Sequence, residues 1–292
     1  MKSTTRFPET GELLRLPFQL ADRLTVDGLA SAAQLRLALV LVSLSSAGPW
    51  SIAKPLLEAM SGVVLDNATS ILDPLLGAEL VQPATKIKPE RRARLFQDIT
   101  YAPGTRHKTA GIISVTLSSP AMLLLHGAGR PVIVPADELR RYATMGGMML
   151  RMRLGARLSK VKTAKSDTWR LRAEDLTEVF GAQSKRWLVS RTAGGEQKQY
   201  MSLRRAADGF FIPGMEEING SSELMHVGMR ALTLSEGERS RWKAIIIETK
   251  VLARVRMQDD PPPAEKPEPK MSDLNNLRKE RLPAYTRKKV KS

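Results

Sequence analysis

Residues 200–218 read YMSLRRAADGFFIPGMEEI, and the spacing of apolar side chains in this stretch decides the fold. The apolar positions that share one helical face are Leu203, Ala207, Phe210 or Phe211, Met215 and Ile218. Arg204 and Arg205 fall on the other side. The pattern therefore predicts a helix from Tyr200 to Ile218, with one face in a core and a basic face in solvent.

An amphipathic helix is predicted earlier in the chain, over Met148–Leu158. Its apolar stripe consists of Leu150, Leu154 and Leu158. The residues off the stripe include Arg151, Arg153 and Arg157. This spacing predicts a helix with a basic outer side.

A strand over Trp169–Leu171 and a short helix over Glu174–Phe180 are predicted next. The inward side chains of the short helix are Leu176, Val179 and Phe180. Gly181 stands at the C-cap position. A short helix ended by glycine is typical of the first arm of a helix-turn-helix.

A basic hairpin is predicted after the long helix. Glu223–Leu234 and Arg241–Val251 are β-rich runs separated by Ser235-Glu236-Gly237-Glu238. The tip carries Arg239, Arg241 and Lys243. Residues 148–250 thus predict a winged helix, a helix-turn-helix followed by a hairpin, whose basic wing and helix suit a DNA phosphate backbone.

Two motifs in this unit carry a family resemblance. Met201-Ser202-Leu203-Arg204-Arg205 is followed by Pro213-Gly214-Met215-Glu216-Glu217-Ile218-Asn219, of which Pro-x-x-Glu-Glu-Ile-Asn is the more specific part. The unit resembles the second winged helix of iteron-plasmid replication initiators (Rep proteins). The resemblance implies that the Arg204 and Arg205 region reads DNA and that Glu217, Ile218 and Asn219 form a structural junction into the wing. A long Gly-containing loop, Ser184 to Gln199, departs from the family pattern.

Composition favours a polyanionic partner. Lys and Arg number 46 against 30 Asp and Glu, a formal net charge of +16. Zero Cys excludes disulfides and cysteine chemistry and fits a reducing cytosol. The most apolar run, Leu35–Leu44, is far shorter than the ~20 residues of a membrane span. We therefore expect a soluble, cytoplasmic protein without a membrane partner.

The first half of the chain predicts the same order of elements. Ser31-Ala32-Ala33-Gln34 has the spacing of a capping box, ahead of the apolar helix Leu35–Leu44. Further helical patterns cover Trp50–Met60 and Asp66–Leu80, and strand patterns cover Arg92–Tyr101 and Gly111–Leu117. This order predicts another winged helix.

We therefore predict an α+β fold with two tandem winged-helix domains and a disordered C-terminal tail. The predicted parts are an N-terminal arm (1–17), a first winged-helix domain (18–128), a second, DNA-binding winged-helix domain (129–258) and a disordered basic tail (259–292). Prolines at 261–263, 267 and 269 indicate the tail, and seven Lys and Arg against one acidic residue at 278–292 make it basic.

The candidate DNA-binding residues are cations of the predicted helix-turn-helix and wings. They are Arg91, Arg92, Arg94, Lys185, Arg186, Lys198, Arg204, Arg205, Arg239, Arg241 and Lys243. An ordinary polar hairpin tip explains the last three nearly as well. The polar segment Asn67-Ala68-Thr69-Ser70 is better explained as a helix start than as a DNA contact.

No catalytic, cofactor-binding or metal-binding set is predicted, so we expect no enzyme. His107, His126 and His226 stand apart, whereas a rolling-circle nickase needs a His-x-His pair with a tyrosine nucleophile. Gly127-Ala128-Gly129 is not followed by the Lys-Ser/Thr pair of a phosphate loop.

The predicted function is plasmid-type DNA replication initiation, by binding specific repeated duplex sites at an origin. The resemblance further implies nucleation of origin opening and replisome recruitment, with a host initiator and helicase as partners. A winged-helix transcriptional repressor that binds an operator is the alternative. Whether the active form is a monomer or a homodimer stays open.

Overall fold

The computed structural model describes residues 13–45, 49–85, 87–104, 111–160, 166–193, 196–236 and 239–252. It gives the backbone alone at 182–183, 191–193, 196, 198, 234–236 and 239–241. All described residues belong to one compact unit, Met1–Arg254. Most of the predicted arm and the whole predicted tail lie outside the described residues.

The first half of the chain, residues 13–128, alternates short strands and helices. Its elements are β1 (Leu13–Leu16), α1 (Phe18–Asp22), β2 (Thr25–Asp27), α2 (Ala32–Ser43), β3 (Trp50–Ala53), α3 (Lys54–Ser61), α4 (Ala68–Leu72), a 3₁₀ turn (Asp73–Gly77), β4 (Glu79–Gln82), β5 (Arg91–Arg94), β6 (Phe96–Ala102), β7 (Ile112–Leu117) and α5 (Ser119–Leu125).

The second half, residues 129–252, has longer helices and a long hairpin. Its elements are β8 (Val132–Pro135), α6 (Ala136–Arg141), α7 (Met145–Lys160), β9 (Ser166–Leu171), α8 (Ala173–Phe180), a 3₁₀ turn (Gly181–Trp187), β10 (Leu188–Ala193), β11 (Glu196–Met201), α9 (Leu203–Ala206), a π turn (Ala207–Phe211), α10 (Ile212–Ser221), β12 (Met225–Glu236) and β13 (Arg239–Val251). Among the described helices, none is long and apolar enough to cross a lipid bilayer.

The two halves repeat one arrangement. A helix, a strand, two helical segments and a hairpin follow one another as α2, β3, α3, α4 and β6–β7, and again as α7, β9, α8, α9–α10 and β12–β13. The resulting antiparallel sheets have the orders β3-β7-β6 and β9-β13-β12, so the last strand is central in both. The predicted repetition of element order is present in the fold.

Insertions distinguish the halves. The first half adds a three-stranded sheet of order β2-β4-β5, and the second adds the hairpin β10–β11 between α8 and α9. This hairpin and the 3₁₀ turn before it occupy the stretch predicted as a loop from Ser184 to Gln199. That prediction was wrong for most of its length.

The buried axis of the first half is α2, as predicted. Ser31 Oγ accepts a hydrogen bond from the Gln34 amide at 3.2 Å, and Gln34 Oε1 accepts one from the Ala30 amide at 2.7 Å. These bonds satisfy backbone donors that a helix start leaves without partners. Leu35 and Leu37 to Val42 are buried, which explains why the run is apolar on nearly every side.

The predicted helices at Trp50–Met60 and Asp66–Leu80 each contain a strand. Trp50–Ala53 form β3, and the helix begins at Lys54, with Pro55 in its first turn where a missing N–H costs nothing. The second stretch is the short α4, a 3₁₀ turn that includes Pro74, and the first residues of β4. Residues 50–53 are a strand because they pair with β7, and residues 79–82 are a strand because they pair with β2. The spacing of apolar residues along the chain does not show such pairing.

One connected core spans both halves. Buried apolar residues form a single cluster from Leu14 to Ile247, and β1 pairs with β8 across the predicted boundary. Ala128, the last residue before the predicted boundary, lies close to α1, since Gln19 Nε2 donates to its carbonyl at 3.5 Å. The boundary at residues 128 and 129 separates the two sets of repeated elements. The division of the chain into two winged-helix domains at that boundary stays a prediction.

The basic outer side predicted for Met148–Leu158 is wrong at two of its three arginines. Arg151 and Arg153 are each 2% exposed, as deeply buried as the apolar residues of α7 around them. Arg157 is half-buried, bound to Asp167 at 2.7 Å and stacked over the ring of Trp169 at 5.1 Å. Burial of α7 on almost all sides therefore replaces the predicted solvent face.

Candidate nucleic-acid interface

The predicted basic helix begins at Leu203 and ends at Ser221. Tyr200 and Met201 belong to β11, so the prediction started the helix three residues early. Ser202 caps the helix, because its Oγ accepts a hydrogen bond from the Arg205 amide at 3.3 Å. We call the continuous segment Leu203–Ser221 the basic helix.

A π turn inside the basic helix buries two consecutive phenylalanines. The turn covers Ala207–Phe211 and precedes Pro213, which has no N–H to offer the carbonyl four residues back. Phe210 and Phe211 are therefore both buried, where the periodicity had offered one or the other.

These two rings join an aromatic cluster that fixes the basic helix on α8. The other rings of the cluster are those of Trp169, Phe180 and Trp187. Phe180 lies 5.0 Å from Phe210 and 5.6 Å from Phe211 between ring centroids, in edge-to-face geometry. The inward face predicted for both helices is confirmed.

Two glycines let the basic helix approach α7 closely. A Cβ built on Gly214 would lie 3.5 Å from Gly147 Cα, and one built on Gly147 would overlap the Glu217 carboxylate. Glu217 Oε2 also accepts a hydrogen bond from Thr144 Oγ1 at 2.8 Å, just before α7. The back of the basic helix is thus held on α7.

Arg204 and Arg205 lie on the exposed side, as predicted. The Arg204 side chain is 79% exposed, and its Nε lies 3.8 Å from the Asp208 carboxylate one turn later. Arg205 is exposed and donates a long bond, 3.4 Å, to the carbonyl of Leu188. Exposed ion pairs of this kind are weak, so both guanidiniums are free to exchange these partners for phosphate or base acceptors.

The end of the basic helix is tied to the hairpin that follows. Asn219 Nδ2 donates to the carbonyl of Val227, its Oδ1 accepts from the Val227 amide, and both distances are 2.8 Å. Ile218 is fully buried. With Glu217 on Thr144, these contacts make Glu217 to Asn219 a structural junction, the role that the resemblance implied.

The β10–β11 hairpin and the turn before it add further cations near the basic helix. Lys185 and Arg186 are exposed on the 3₁₀ turn, and Lys198 lies on β11 opposite Arg191. Tyr200 is 45% exposed on the same strand. Sequence reasoning missed this hairpin, although Gly194-Gly195 between two polar and β-branched runs is a recognisable hairpin signal.

The predicted wing is the hairpin β12–β13, with Arg239 paired to Glu236 and Arg241 to Leu234 in the strand register. Lys243 is exposed and falls at a β-bulge, because Trp242 and Ala244 pair with the consecutive residues Thr233 and Leu232. A bulge interrupts the alternation of side chains. Lys243 therefore lies outside the regular strand register in which Arg239 and Arg241 pair with β12.

The sequence pattern places the candidate cations of the first half at the base of the first wing, and the structure corrects this. They lie on β5, an edge strand of the inserted sheet β2-β4-β5. Arg91, Arg92 and Arg94 are exposed. Arg92 pairs with Glu90, Glu79 and Asp27, and the hydrogen bonds to Glu90 and Glu79 raise the pKa of its guanidinium. Arg94 Nε donates to the carbonyl of Leu76 at 2.8 Å. Arg91 is thus the better candidate among them for an outside partner.

The polar segment at Asn67 starts a helix, as predicted. Asn67 Oδ1 accepts a hydrogen bond from the Ser70 amide at 3.4 Å, at the N-terminus of α4.

Within the described ranges, no group of three His, Asp or Glu side chains is arranged to hold a metal ion. The best-defined part of the candidate interface is the basic helix, which carries Arg204 and Arg205.

Comparison with known proteins supports the fold alone. No protein-family model matches the chain, and no curated protein sequence gives a significant match. Among solved structures, the chain is similar to the Pi initiator protein in complex with iteron DNA, with a TM-score of 0.52 and 15% sequence identity. The match covers 83% of this chain and 97% of that one. The resemblance to iteron-plasmid initiators that Pro213 to Asn219 indicated is thereby confirmed at the level of the fold.

Proposed function

We propose that the protein binds specific repeated duplex DNA sites through two winged helices and thereby starts replication of a plasmid-like replicon. The observation that carries this proposal is the repeated unit itself. In each half a helix, a strand, two helical segments and a hairpin occur in that order, and the strand after the first helix pairs with the last strand. Helix-turn-helix units place their second helical segment in the major groove.

Surface charge supports contact with duplex DNA at the second unit. Arg204 and Arg205 project from the basic helix, and Lys185 and Arg186 are exposed on the turn after α8. The net charge of +16 favours association with a polyanion. Two units in successive major grooves would cover about 20 base pairs, since half-sites on one DNA face lie about 10 base pairs apart.

Origin opening and recruitment of a host initiator and helicase are the further steps of this proposal. They rest on the resemblance in fold to the Pi initiator protein, which was crystallised with iteron DNA. The chain's own residues would supply the specific duplex contact that places such partners at an origin.

Selection from a random duplex pool tests the proposal. We expect enrichment of one site of about 20 base pairs with two half-sites about one helical turn apart. We expect directly repeated copies of that site beside the gene. When the protein is supplied, a fragment that carries these copies should support replication of a plasmid that lacks its own initiator. A single operator copy without replication would favour a transcriptional repressor, and recovery of no enriched site would refute specific duplex binding.

Salt dependence tests the wing. Arg239→Ala with Arg241→Ala should make the log-log slope of affinity against salt shallower by about 0.9 for each phosphate that the wing no longer neutralises. Fluorescence anisotropy on the selected duplex over a salt series measures this slope. Arg230→Ala is the control on the same hairpin, because Arg230 lies within β12 opposite Ile246, several residues before the tip that carries Arg239 and Arg241. Equal slopes for wild type and the double variant would place the wing away from DNA.

A further inference from the structure

Arg36, Arg140 and Arg153 each donate hydrogen bonds across the boundary between the halves, to main-chain carbonyls at the end of a helix. The deepest is Arg153 on α7. Its Nη1 donates to the carbonyls of Leu20 at 3.1 Å and Ala21 at 2.8 Å, and its Nη2 to that of Leu24 at 2.8 Å. These carbonyls lie at and just after the end of α1, so a second-half arginine holds a first-half helix.

The other two arginines cross the boundary in opposite directions. Arg140, on α6, donates from Nη1 to the carbonyl of Ala59 in the last turn of α3 at 2.7 Å. Arg36, on α2, donates from Nη1 to the carbonyls of Arg140 at 2.8 Å and Tyr142 at 3.2 Å, at the end of α6. We call Arg36, Arg140 and Arg153 the arginine seam.

The chain makes room for Arg140 at Gly62. Gly62 ends α3 with a φ of +65°, and a Cβ built there would lie 2.9 Å from Arg140 Cγ. The left-handed backbone and the missing side chain let the stem of Arg140 cross the end of α3. Both helices therefore contribute to this contact: the end of α3 leaves space at Gly62, and Arg140 of α6 occupies that space.

The ends of helices stabilise the positive charges of these arginines. The last carbonyls of a helix have no partner within it and form the negative end of its dipole, so a cation there gains both hydrogen bonds and charge interaction. Burial lowers the pKa of Arg153 to about 10, opposed by the Asp22 carboxylate, so the guanidinium stays charged at neutral pH. A buried cation that donates to four carbonyls cannot shift without leaving some of them unpaired.

The seam connects helices that support the elements proposed to face DNA. The helix α7, which carries Arg153, also packs on the basic helix through Gly147 and Gly214. The helix α3, which Arg140 holds, is the first arm of the helix-turn-helix in the first half. The two units are thus joined by short, directional contacts and not by apolar packing alone.

We propose that the arginine seam fixes the separation of the two DNA-facing units and so makes the protein select duplexes whose half-sites lie at one spacing. This inference rests on the proposed function, since it requires both units to contact DNA. Arg36, Arg140 and Arg153 then act as positioning residues that set spacing specificity without touching DNA.

The test is a spacing profile. Affinity is measured for the selected duplex, for the same duplex with up to about five base pairs inserted between half-sites, and for the second-unit half-site alone. An insertion of about half a turn moves one half-site to the other face of the DNA, so wild type should lose about tenfold or more in affinity.

Two variants separate positioning from folding. Arg36→Met with Arg140→Met removes the more accessible crossings and should lose about threefold or less on the same insertion, with half-site affinity unchanged. Arg153→Met removes the buried crossing and should flatten the profile further if thermal melting shows it folded. Arg157→Met is the control on the same helix, because Arg157 bonds within the second half to Asp167, and it should keep the wild-type profile.

The outcomes are distinguishable. A wild-type spacing profile in the folded Arg36→Met and Arg140→Met double variant would overturn the role of the seam while leaving the proposed function intact. Equal losses on all duplexes would assign these arginines to stability alone and would also overturn it. Failure of wild type to prefer any duplex would overturn the proposed function and this inference together.

Discussion

Replacement of Glu138 by glutamine should lower the free energy of unfolding by about 3 to 5 kcal/mol, because it leaves a buried guanidinium without its counter-charge. Glu138 is 3% exposed, and Arg151, whose Nε and Nη2 both bind its carboxylate, is 2% exposed. Tyr142 Oη also donates to Glu138 Oε1, at 2.9 Å. Urea unfolding followed by circular dichroism measures the loss.

Two controls identify the cause of that loss. Glu138→Leu combined with Arg151→Met removes both charges and should recover most of the stability, since apolar residues often replace a buried pair at little cost. Glu174→Gln breaks an exposed ion pair, because the side chain of Glu174 is 69% exposed and that of its partner Arg172 is 58% exposed. This change should lower the free energy of unfolding by no more than about 1 kcal/mol. A glutamine variant as stable as wild type would show that the buried pair carries no net charge interaction.

The burial of Arg151 and Arg153 could not be predicted from their own helix. Periodicity assigns an arginine to the outer face, because a lone charge costs too much inside a core. The partner of Arg151 is Glu138, thirteen positions earlier on another helix. Arg153 donates to the carbonyl of Val179, 26 positions later, and to three carbonyls more than a hundred positions earlier. Tertiary contacts with no local sequence signal decided both positions.

Capping and inward faces, by contrast, were predictable from local sequence. Ser31 with Gln34 and the glycine at 181 mark helix ends through short-range hydrogen bonds and backbone conformation. The inward positions of the basic helix follow from 3.6-residue periodicity, and Arg204 and Arg205 were correctly placed on its outer side. The start of that helix was missed because Tyr200 belongs to β11, where it pairs with Val189 of β10.

Alanine at both Arg204 and Arg205 should lower affinity for the selected duplex more than for random duplex. An arginine that binds guanine in the major groove contributes about 1 to 3 kcal/mol of discrimination, so the two together should reduce specific affinity by about tenfold or more. Stability should be nearly unchanged, because both side chains are exposed and the buried face is formed by Leu203, Ala207 and the two phenylalanines. Gel shifts on the two duplexes at one salt concentration measure the difference.

Arg23→Ala is the matched control for this discrimination. Arg23 is 53% exposed, follows α1 in the first half of the chain and is paired with its neighbour Asp22, so its removal should leave both affinities close to wild type. If Arg204 and Arg205 contact phosphates alone, the double variant will lose the same factor on both duplexes, since phosphate contacts carry no direct sequence information. Equal losses would therefore exclude base readout at these positions, whereas a larger loss on the selected duplex would identify the basic helix as the element that reads its sequence.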